Sequence, residues 1–134
     1  MKHRSDLIKA RDKELFRIYK ECLRRPDVRS HQEAIRMAIK SPTSRFWTST
    51  VWTYKEILNL KLGRPLIHIR PDKVRMLHNI YRIFMRLEQQ PAFRGQSVCF
   101  IVAFAIQQPA PEFYMSYSRA AHIIDIMRKH DKTR

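Results

Sequence analysis

Two stretches of this sequence, 67 residues apart, carry side chains that could contact a phosphate or the edge of a base. Positions that are apolar or small in both stretches, such as Ile57 and Ile124, fix an inward helix face. The outward pairs at the same spacing are Thr50 with Tyr117, Trp52 with Arg119, Lys55 with His122, and Asn59 with Ile126. Hydroxyl, amide and cationic groups of this kind bind phosphates and base edges. A plain solvent-exposed helix face would carry a similar set, so both interpretations stay open.

Arg45 lies in the turn before the first stretch, beside Ser44, where a phosphate contact would be natural. Glu112 occupies the matching place in the second copy, so the first copy is expected to make more of the backbone contact. The candidate nucleic-acid-binding residues are Arg45, Thr50, Trp52, Lys55, Asn59, Tyr117, Arg119 and His122. Two further basic clusters would add affinity without specificity: Lys2, Arg4, Lys9, Arg11 and Lys13, and Arg128, Lys129, Lys132 and Arg134.

The same spacing relates the turns that precede these stretches. A shift of 67 superposes Ala38, Ile39, Pro42, Phe46 and Ser49 on Ala105, Ile106, Pro109, Phe113 and Ser116, and pairs Trp47 with Tyr114. Internal repetition of this kind indicates the architecture before any single motif does. Each copy resembles a helix–turn–helix, in which the later helix enters the major groove and packs on the preceding helix. The turn is longer than the compact form and lacks its glycine.

The charge of the chain is the strongest functional indication. Its 134 residues carry a formal net charge of +15, and positive residues outnumber negative ones in both halves. Such a surface attracts polyanions, and binding to phosphates releases condensed counterions. A merely soluble basic protein is the alternative, and nucleic-acid binding is favoured over it.

Caps and breakers divide the helical pattern into six predicted helices. They cover approximately residues 5–25, 31–40, 50–62, 71–88, 97–106 and 117–129. The predicted N-cap residues are Ser30, Ser49, Ser97 and Ser116, and Glu33 completes a capping box with the first of them. Pro26 and Gly63 are expected to end the first and third helices.

The fifth predicted helix differs from its counterpart, the second. Val98, Cys99, Phe100 and Ala103 stand where the second helix has His31, Gln32, Glu33 and Arg36. A helix that is apolar all round is expected to be buried on every side. It would lie at the centre of the fold or in a dimer interface, and the centre is favoured. A strand over Val98–Ile106 is the alternative, but register with the helical copy favours a helix.

The aromatic pairs Phe46-Trp47 and Phe113-Tyr114 allow two interpretations. They could form a stacking platform for single strands. Aromatic residues before a capping serine more often form a hydrophobic staple, and this structural role is favoured for the phenylalanines. Trp47 and Tyr114 are expected to be partly exposed.

No catalytic set emerges from the sequence, so the chain is predicted to be a non-enzymatic binding protein without a cofactor. Its six histidines lack the ligand spacing of a metal site. Cys22 and Cys99 fall in apolar helical patterns and are expected to be two buried thiols. The amino terminus lacks the apolar core of a signal peptide, and the longest apolar run, Val98–Ile106, is too short to span a bilayer. A cytoplasmic location is expected.

The turn motifs, Pro42 to Ser49 and Pro109 to Ser116, have the pattern Pro-x-x-x-Phe-(Trp or Tyr)-x-Ser. In this respect residues 30–60 and 97–127 resemble small basic proteins of bacterial plasmids and conjugative elements. The resemblance implies a helix–turn–helix fold and a DNA-binding role, without identifying contact residues.

These observations predict an all-α chain of about six helices, arranged as two fused three-helix, helix–turn–helix-like repeats that share one core. A single domain is expected over residues 1–134, with repeats at 6–63 and 71–130 and a linker at 64–70. The predicted function is binding of duplex DNA, in regulation or as an accessory to a mobile element. A protein-interaction adaptor or dimeric scaffold, and a protein that binds structured RNA, are the alternatives. Neither the oligomeric state nor sequence specificity follows from these residues.

Overall fold

The computed structural model describes residues 4–131, and within that range the chain is all-helical, with six α-helices and no β-strand. The predicted all-α class is therefore confirmed, including the fifth helix for which a strand was the alternative. The α-helices are α1 Arg4–Leu23, α2 His31–Ile39, α3 Thr50–Lys61, α4 Pro71–Glu88, α5 Val98–Ala105 and α6 Tyr117–His130. A 3-10 turn at Pro91–Phe93 lies between α4 and α5.

Local sequence explains where four of the helices begin. Ser30, Ser49, Ser97 and Ser116 are extended N-caps, and each serine oxygen accepts a hydrogen bond from the backbone N–H three residues later. These bonds satisfy amide groups that have no partner inside the helix. The carboxylate of Glu33 accepts from the backbone N–H of Arg29 at 3.1 Å, one residue before the partner that the capping box predicts.

The chain packs into two compact units, and the boundaries of these units do not follow the predicted repeats. The continuous unit is residues 44–110, and the split unit is residues 4–43 together with 111–131. In the continuous unit, α3 packs on α4 and α5, and α4 packs on α5. In the split unit, α1, α2 and α6 all pack on one another.

This packing departs from the expectation that the third helix packs on the second. The partners of α3 are α4 and α5, and the partners of α6 are α1 and α2. The 67-residue spacing indicates which helices correspond to one another. It does not determine whether a helix packs on its own predicted repeat or on the other one. The residues of the predicted linker, 64–70, lie inside the continuous unit. The single domain and the repeat boundaries stay predictions.

The core of the split unit is built from the inward faces of its three helices. Leu15, Tyr19, Ala34, Ala38 and Ile124 are at most 2% exposed. The backbone N–H of Phe113, which lies before α6, donates to the carbonyl of Ile39 at the end of α2, with an N···O distance of 3.0 Å. The Thr43 hydroxyl donates to the carboxylate of Glu14 on α1. The first bond joins the segment before α6 to α2, and the second joins the segment after α2 to α1.

The core of the continuous unit has the same plan. Its most deeply buried side chains include Phe46, Ile57, Leu77, Phe84 and Val102. The backbone N–H of Phe46 donates to the carbonyl of Ile106, again at 3.0 Å. The hydroxyls of Thr48 and Thr53 are buried and hydrogen-bonded at 2.9 Å, so neither leaves an unpaired polar group in the interior.

The aromatic turn residues serve the fold. Phe46 and Phe113 are 1% and 3% exposed, which confirms their structural role. Tyr114 was expected to be partly exposed, but it is buried and its backbone has φ +53, in the left-handed region that bulky residues seldom adopt. The side chain fills the interior and leaves no ring face for a base, whereas Trp47 stays partly exposed.

The expectation that α5 is buried on every side is wrong. Ile101, Val102 and Ala105 face inward, but Phe100 and Phe104 are 43% and 46% exposed, and Cys99 is exposed as well. Within its unit α5 packs on α3 and α4, and these contacts leave Cys99, Phe100 and Phe104 exposed. Of the two thiols, both free, only that of Cys22 is buried, and burial raises its pKa.

Candidate nucleic-acid interface

The eight predicted contact residues are divided between the two units. The continuous unit holds Arg45, Thr50, Trp52, Lys55 and Asn59, and the split unit holds Tyr117, Arg119 and His122. Among the terminal basic residues predicted to add affinity, Lys2, Lys132 and Arg134 lie outside the described residues.

The guanidinium of Arg45 is engaged by the turn in which it lies. Its Nε donates to the carbonyl of Phe46 at 3.0 Å, and a terminal nitrogen donates to the carbonyl of Thr48 at 3.3 Å. The same group lies 5.5 Å from the centre of the Trp47 ring, within the range of a cation–π contact. Burial lowers the pKa of Arg45 from its ordinary value, although arginine stays protonated at any physiological pH. This geometry favours a structural role over the predicted phosphate contact.

The outward face of α3 is a mixed surface. Lys55 is exposed, whereas Thr50, Trp52 and Asn59 are half-buried. The side-chain amide of Asn59 donates to Glu56 at 3.2 Å, which occupies part of its hydrogen-bonding capacity. Val51 is 65% exposed beside these polar groups. On this face Lys55 is therefore surrounded by apolar and internally bonded side chains.

The split unit brings a more strongly cationic set together. Arg36 of α2 lies with its guanidinium 4.8 Å from the centre of the Tyr117 ring, at the first residue of α6. Arg119 lies in the same first turn of α6 and His122 in the second, and both are exposed. We call these four residues the α2/α6 face. The α2/α6 face extends from the end of α2 to the start of α6, and the donor groups of its exposed members face the solvent.

The acidic groups beside the α2/α6 face are engaged in other contacts. The carboxylate of Glu33 binds the backbone at the start of α2, and that of Glu112 lies 3.3 Å from the Lys40 ammonium. Further along α6, Asp125 pairs with Lys129 at 3.3 Å. Within residues 4–131 neither Arg36 nor Arg119 is paired with a carboxylate, so both guanidinium groups can bind an external anion.

A groove in the same unit extends the polar surface toward the end of α6. It is lined in part by Tyr19, Lys20, His31 and Arg128. The Tyr19 hydroxyl and His31 Nδ1 are hydrogen-bonded, and burial raises the pKa of the tyrosine while the nearby Arg128 opposes that shift. Asp131 pairs with Lys20 at 3.7 Å. The groove can accept an anion at Arg128, but its two carboxylates make it less cationic than the α2/α6 face.

Sequence reasoning found three members of the α2/α6 face and missed Arg36. In the sequence, Arg36 was noted only because Ala103 stands at the corresponding position of the fifth helix. The contact with Tyr117 depends on α6 packing against α2, and no local signal in the sequence specifies that pairing.

Within residues 4–131 the structure offers no candidate for a metal site or a membrane span. No group of three or more His, Cys, Asp or Glu residues is placed to hold a metal ion there. None of the helices in that range combines the length and apolar character that crossing a membrane requires. Comparisons with protein-family models, with curated proteins and with solved structures gave no match.

Proposed function

We propose that this protein binds duplex DNA without catalysing a reaction, and that the split unit makes the contact. The observation that carries the proposal is the α2/α6 face, where Arg36 stacks over Tyr117 beside the exposed Arg119 and His122. Arginine and histidine donors on one helix end can reach phosphate oxygens and the edges of bases in the major groove.

The arrangement of α1, α2 and α6 supports a helix–turn–helix-like mode of binding. In that mode the first turns of the recognition helix enter the groove, while its inner side packs on the preceding helix of the module. The first turn of α6 lies beside Arg36 of α2, and Ala120, Ile123 and Ile124 are buried on its inner side. We assign α6 as the recognition helix and Arg36 as a neighbouring phosphate contact.

We further propose that the two sequence repeats exchange their third helices. The hydrogen bond from Phe46 to Ile106 and the bond from Phe113 to Ile39 have the same length. Each joins a turn of one predicted repeat to the second helix of the other, and the donors and acceptors differ by the same spacing of 67 residues. The proposed DNA-binding module therefore combines two helices of the first repeat with the last helix of the second.

The equivalent surface of the continuous unit lacks these cations. At the same spacing, Ala103 stands in place of Arg36, and Trp52 in place of Arg119. Lys55 matches His122, but it is surrounded by the mixed surface of α3. We therefore assign duplex binding to the split unit alone. The likeness of the turn motif to proteins of plasmids and conjugative elements supports a regulatory or accessory role on such an element.

A competition assay tests the proposal at the level of the ligand. Labelled duplex DNA bound to the intact chain would be challenged with unlabelled duplex, single strands and a structured RNA hairpin of equal length. We expect the duplex to compete best. We also expect affinity to fall steeply with salt, because each phosphate contact contributes about 0.9 to the slope of log K against log salt.

Two results would reject duplex binding. The first is absence of binding at low salt, and the second is a flat dependence on salt. Stronger competition by the hairpin than by the duplex would instead establish the alternative of structured RNA.

A further inference from the structure

Three phenylalanines, one half-buried and two exposed, form an aromatic cluster on the continuous unit. Phe93 of the 3-10 turn and Phe104 of α5 are 5.0 Å apart between ring centres and meet edge to face, and Phe100 lies 5.4 Å from Phe104. Phe100 and Phe104 are 43% and 46% exposed, and the exposed Cys99 adjoins them on α5. We call Phe93, Cys99, Phe100 and Phe104 the α5 aromatic face. Exposed apolar side chains that contact one another in this way indicate a binding surface.

The fold does not require aromatic residues at this place. At a spacing of 67 residues, the positions of Cys99 and Phe100 correspond to Gln32 and Glu33 of α2, which are exposed and polar. Helix α2 forms and packs with those polar residues, so the α5 aromatic face is a property of this unit and not of the helix position.

The surroundings of the α5 aromatic face are cationic. Arg94 directly follows Phe93 and is exposed. Arg86 lines an adjoining cleft together with Gln90 and Gln108, and the Gln108 amide donates to the carbonyl of Phe104 at 3.5 Å. Neither arginine is paired with a carboxylate in the part of the chain that the structure describes.

The three carboxylates of the continuous unit are bound elsewhere. Glu88 pairs with Lys61, Asp72 with Arg70 at 3.1 Å, and Glu56 accepts from Asn59 at 3.2 Å. No acidic group of this unit is therefore left to balance Arg86 and Arg94. A ligand that complements this surface must supply both apolar groups and negative charge.

We propose that the α5 aromatic face binds an acidic amphipathic helix of a partner protein. The apolar side of that helix covers Phe93, Phe100 and Phe104, and its carboxylates pair with Arg86 and Arg94. Helices that bind in this way present anchors at i, i+3, i+4 and i+7, a spacing that fits the two turns of α5. This activity is separate from the proposed binding of DNA and does not rest on it.

Two other occupants fit the surface less well. A second copy of this chain would bring Arg86 and Arg94 against identical cations, and the net charge of +15 opposes that contact. A single-stranded nucleic acid stacks successive bases on ring faces, but these rings are inclined to one another at 49–83° and do not present a common stacking direction.

Fluorescence anisotropy with synthetic peptides tests the proposal on the full chain. The probe is a labelled helix of about three turns with Leu on one side and Glu on the other, and the control peptide replaces each Glu by Lys. We expect the Glu peptide to bind and the Lys peptide not to bind. The double substitution Phe100→Ser and Phe104→Ser should weaken binding roughly tenfold or more, as loss of central aromatic anchors does.

Two further variants separate this surface from general apolar or charge effects. Val51→Ser with Leu62→Ser removes two apolar side chains of the same unit that are more exposed than the phenylalanines, at 65% and 54%, and should leave binding unchanged. Arg86→Gln with Arg94→Gln should weaken binding of the Glu peptide and leave the helical circular dichroism intact. This charge variant tests the proposal even where the phenylalanine variant does not fold.

Several outcomes would overturn the proposal. They are equal binding of the Glu and Lys peptides, no binding of either, and equal losses in the phenylalanine and Val51/Leu62 variants. A dimer in light scattering that the phenylalanine variant dissociates would assign the surface to a second copy. Weaker binding of an oligothymidine strand by that variant would assign it to single-stranded nucleic acid.

Discussion

At the scale of single residues, the environment of a cation decides between a structural role and a binding role. Arg45 and Arg119 are both arginines near the start of a helix that a serine caps. The guanidinium of Arg45 bonds to two carbonyls of its own turn, whereas Arg119 is exposed. The sequence shows the same residue type at a similar position in both cases. Arg45 and Arg119 are distinguished only by the backbone conformation of the turn before α3.

Replacing Arg45 by Gln should therefore affect folding more than binding. We expect the free energy of unfolding to fall by about 1–3 kcal/mol, because two charge-assisted hydrogen bonds to the carbonyls of Phe46 and Thr48 are lost. The affinity for duplex DNA should change only by the small effect of one charge. Urea denaturation and DNA titration of the same variant measure the two quantities. Unchanged stability with strongly reduced affinity would restore the phosphate contact that the sequence predicted.

Sequence identified the residues of the α2/α6 face only in part. Tyr117, Arg119 and His122 follow from the helical period once the inward face of α6 is fixed by residues such as Ile124. Arg36 could not be found in this way, because its contact joins side chains 81 positions apart in the chain. Long-range contacts of this kind depend on packing rather than on local propensity.

At the scale of helices, the residue at which a helix begins was the feature that the sequence predicted best. A serine N-cap and the backbone N–H that it binds are separated by three residues, so the signal is complete within one turn. All four predicted caps are present. The burial of α5 was wrongly predicted for the opposite reason, since an apolar composition does not specify whether neighbouring elements cover every side of a helix.

The cap of the proposed recognition helix offers a test at this scale. Ser116→Ala removes the acceptor of the hydrogen bond from the backbone N–H of Arg119, now 3.2 Å long. We expect the free energy of unfolding to fall by about 1 kcal/mol, with a range of about 0.5–2 kcal/mol. Thermal or urea denaturation measures this loss.

Ser118→Ala is the matched control, because Ser118 is exposed in the same turn and alanine is a better helix former than serine. That variant should be neutral or slightly stabilising. Equal destabilisation by the two substitutions would show that the Ser116 hydroxyl does not act as a cap.

At the scale of the whole molecule, the chain folds as one continuous and one split unit. The number of helices could be read from the sequence, whereas the two-repeat arrangement stays a prediction. The pairs of helices that pack together could not be read from the sequence. Exchange of an equivalent helix between two repeats would bury the same apolar surfaces as packing within each repeat. The tertiary partners of α3 and α6 thus could not be predicted from periodicity and caps.

Two fragments of equal length distinguish these packings. Residues 44–110 contain α3, α4 and α5, which pack on one another, whereas residues 1–67 contain α1 and α2 without α6. We expect the first fragment to show a cooperative thermal transition by circular dichroism. The second should lack one, because its apolar faces have lost their partners. Cooperative, monomeric folding of residues 1–67, with no folding of residues 44–110, would favour independent sequential repeats.

The central claim is that the split unit, through the α2/α6 face, binds duplex DNA. Its most direct test compares two variants that each remove two positive charges. Arg36→Gln with Arg119→Gln alters the α2/α6 face, and Lys55→Gln with Arg64→Gln alters exposed cations of the continuous unit. Because long-range attraction depends on net charge, the matched pair isolates the effect of position.

The measurement is the affinity for one duplex over a series of salt concentrations. We predict that the α2/α6 variant binds roughly tenfold or more weakly and loses about one unit of salt slope for each lost phosphate contact. The control variant should lose much less affinity and much less of the salt slope. Equal losses in the two variants, or a larger loss in the control, would contradict the assignment of DNA binding to the split unit.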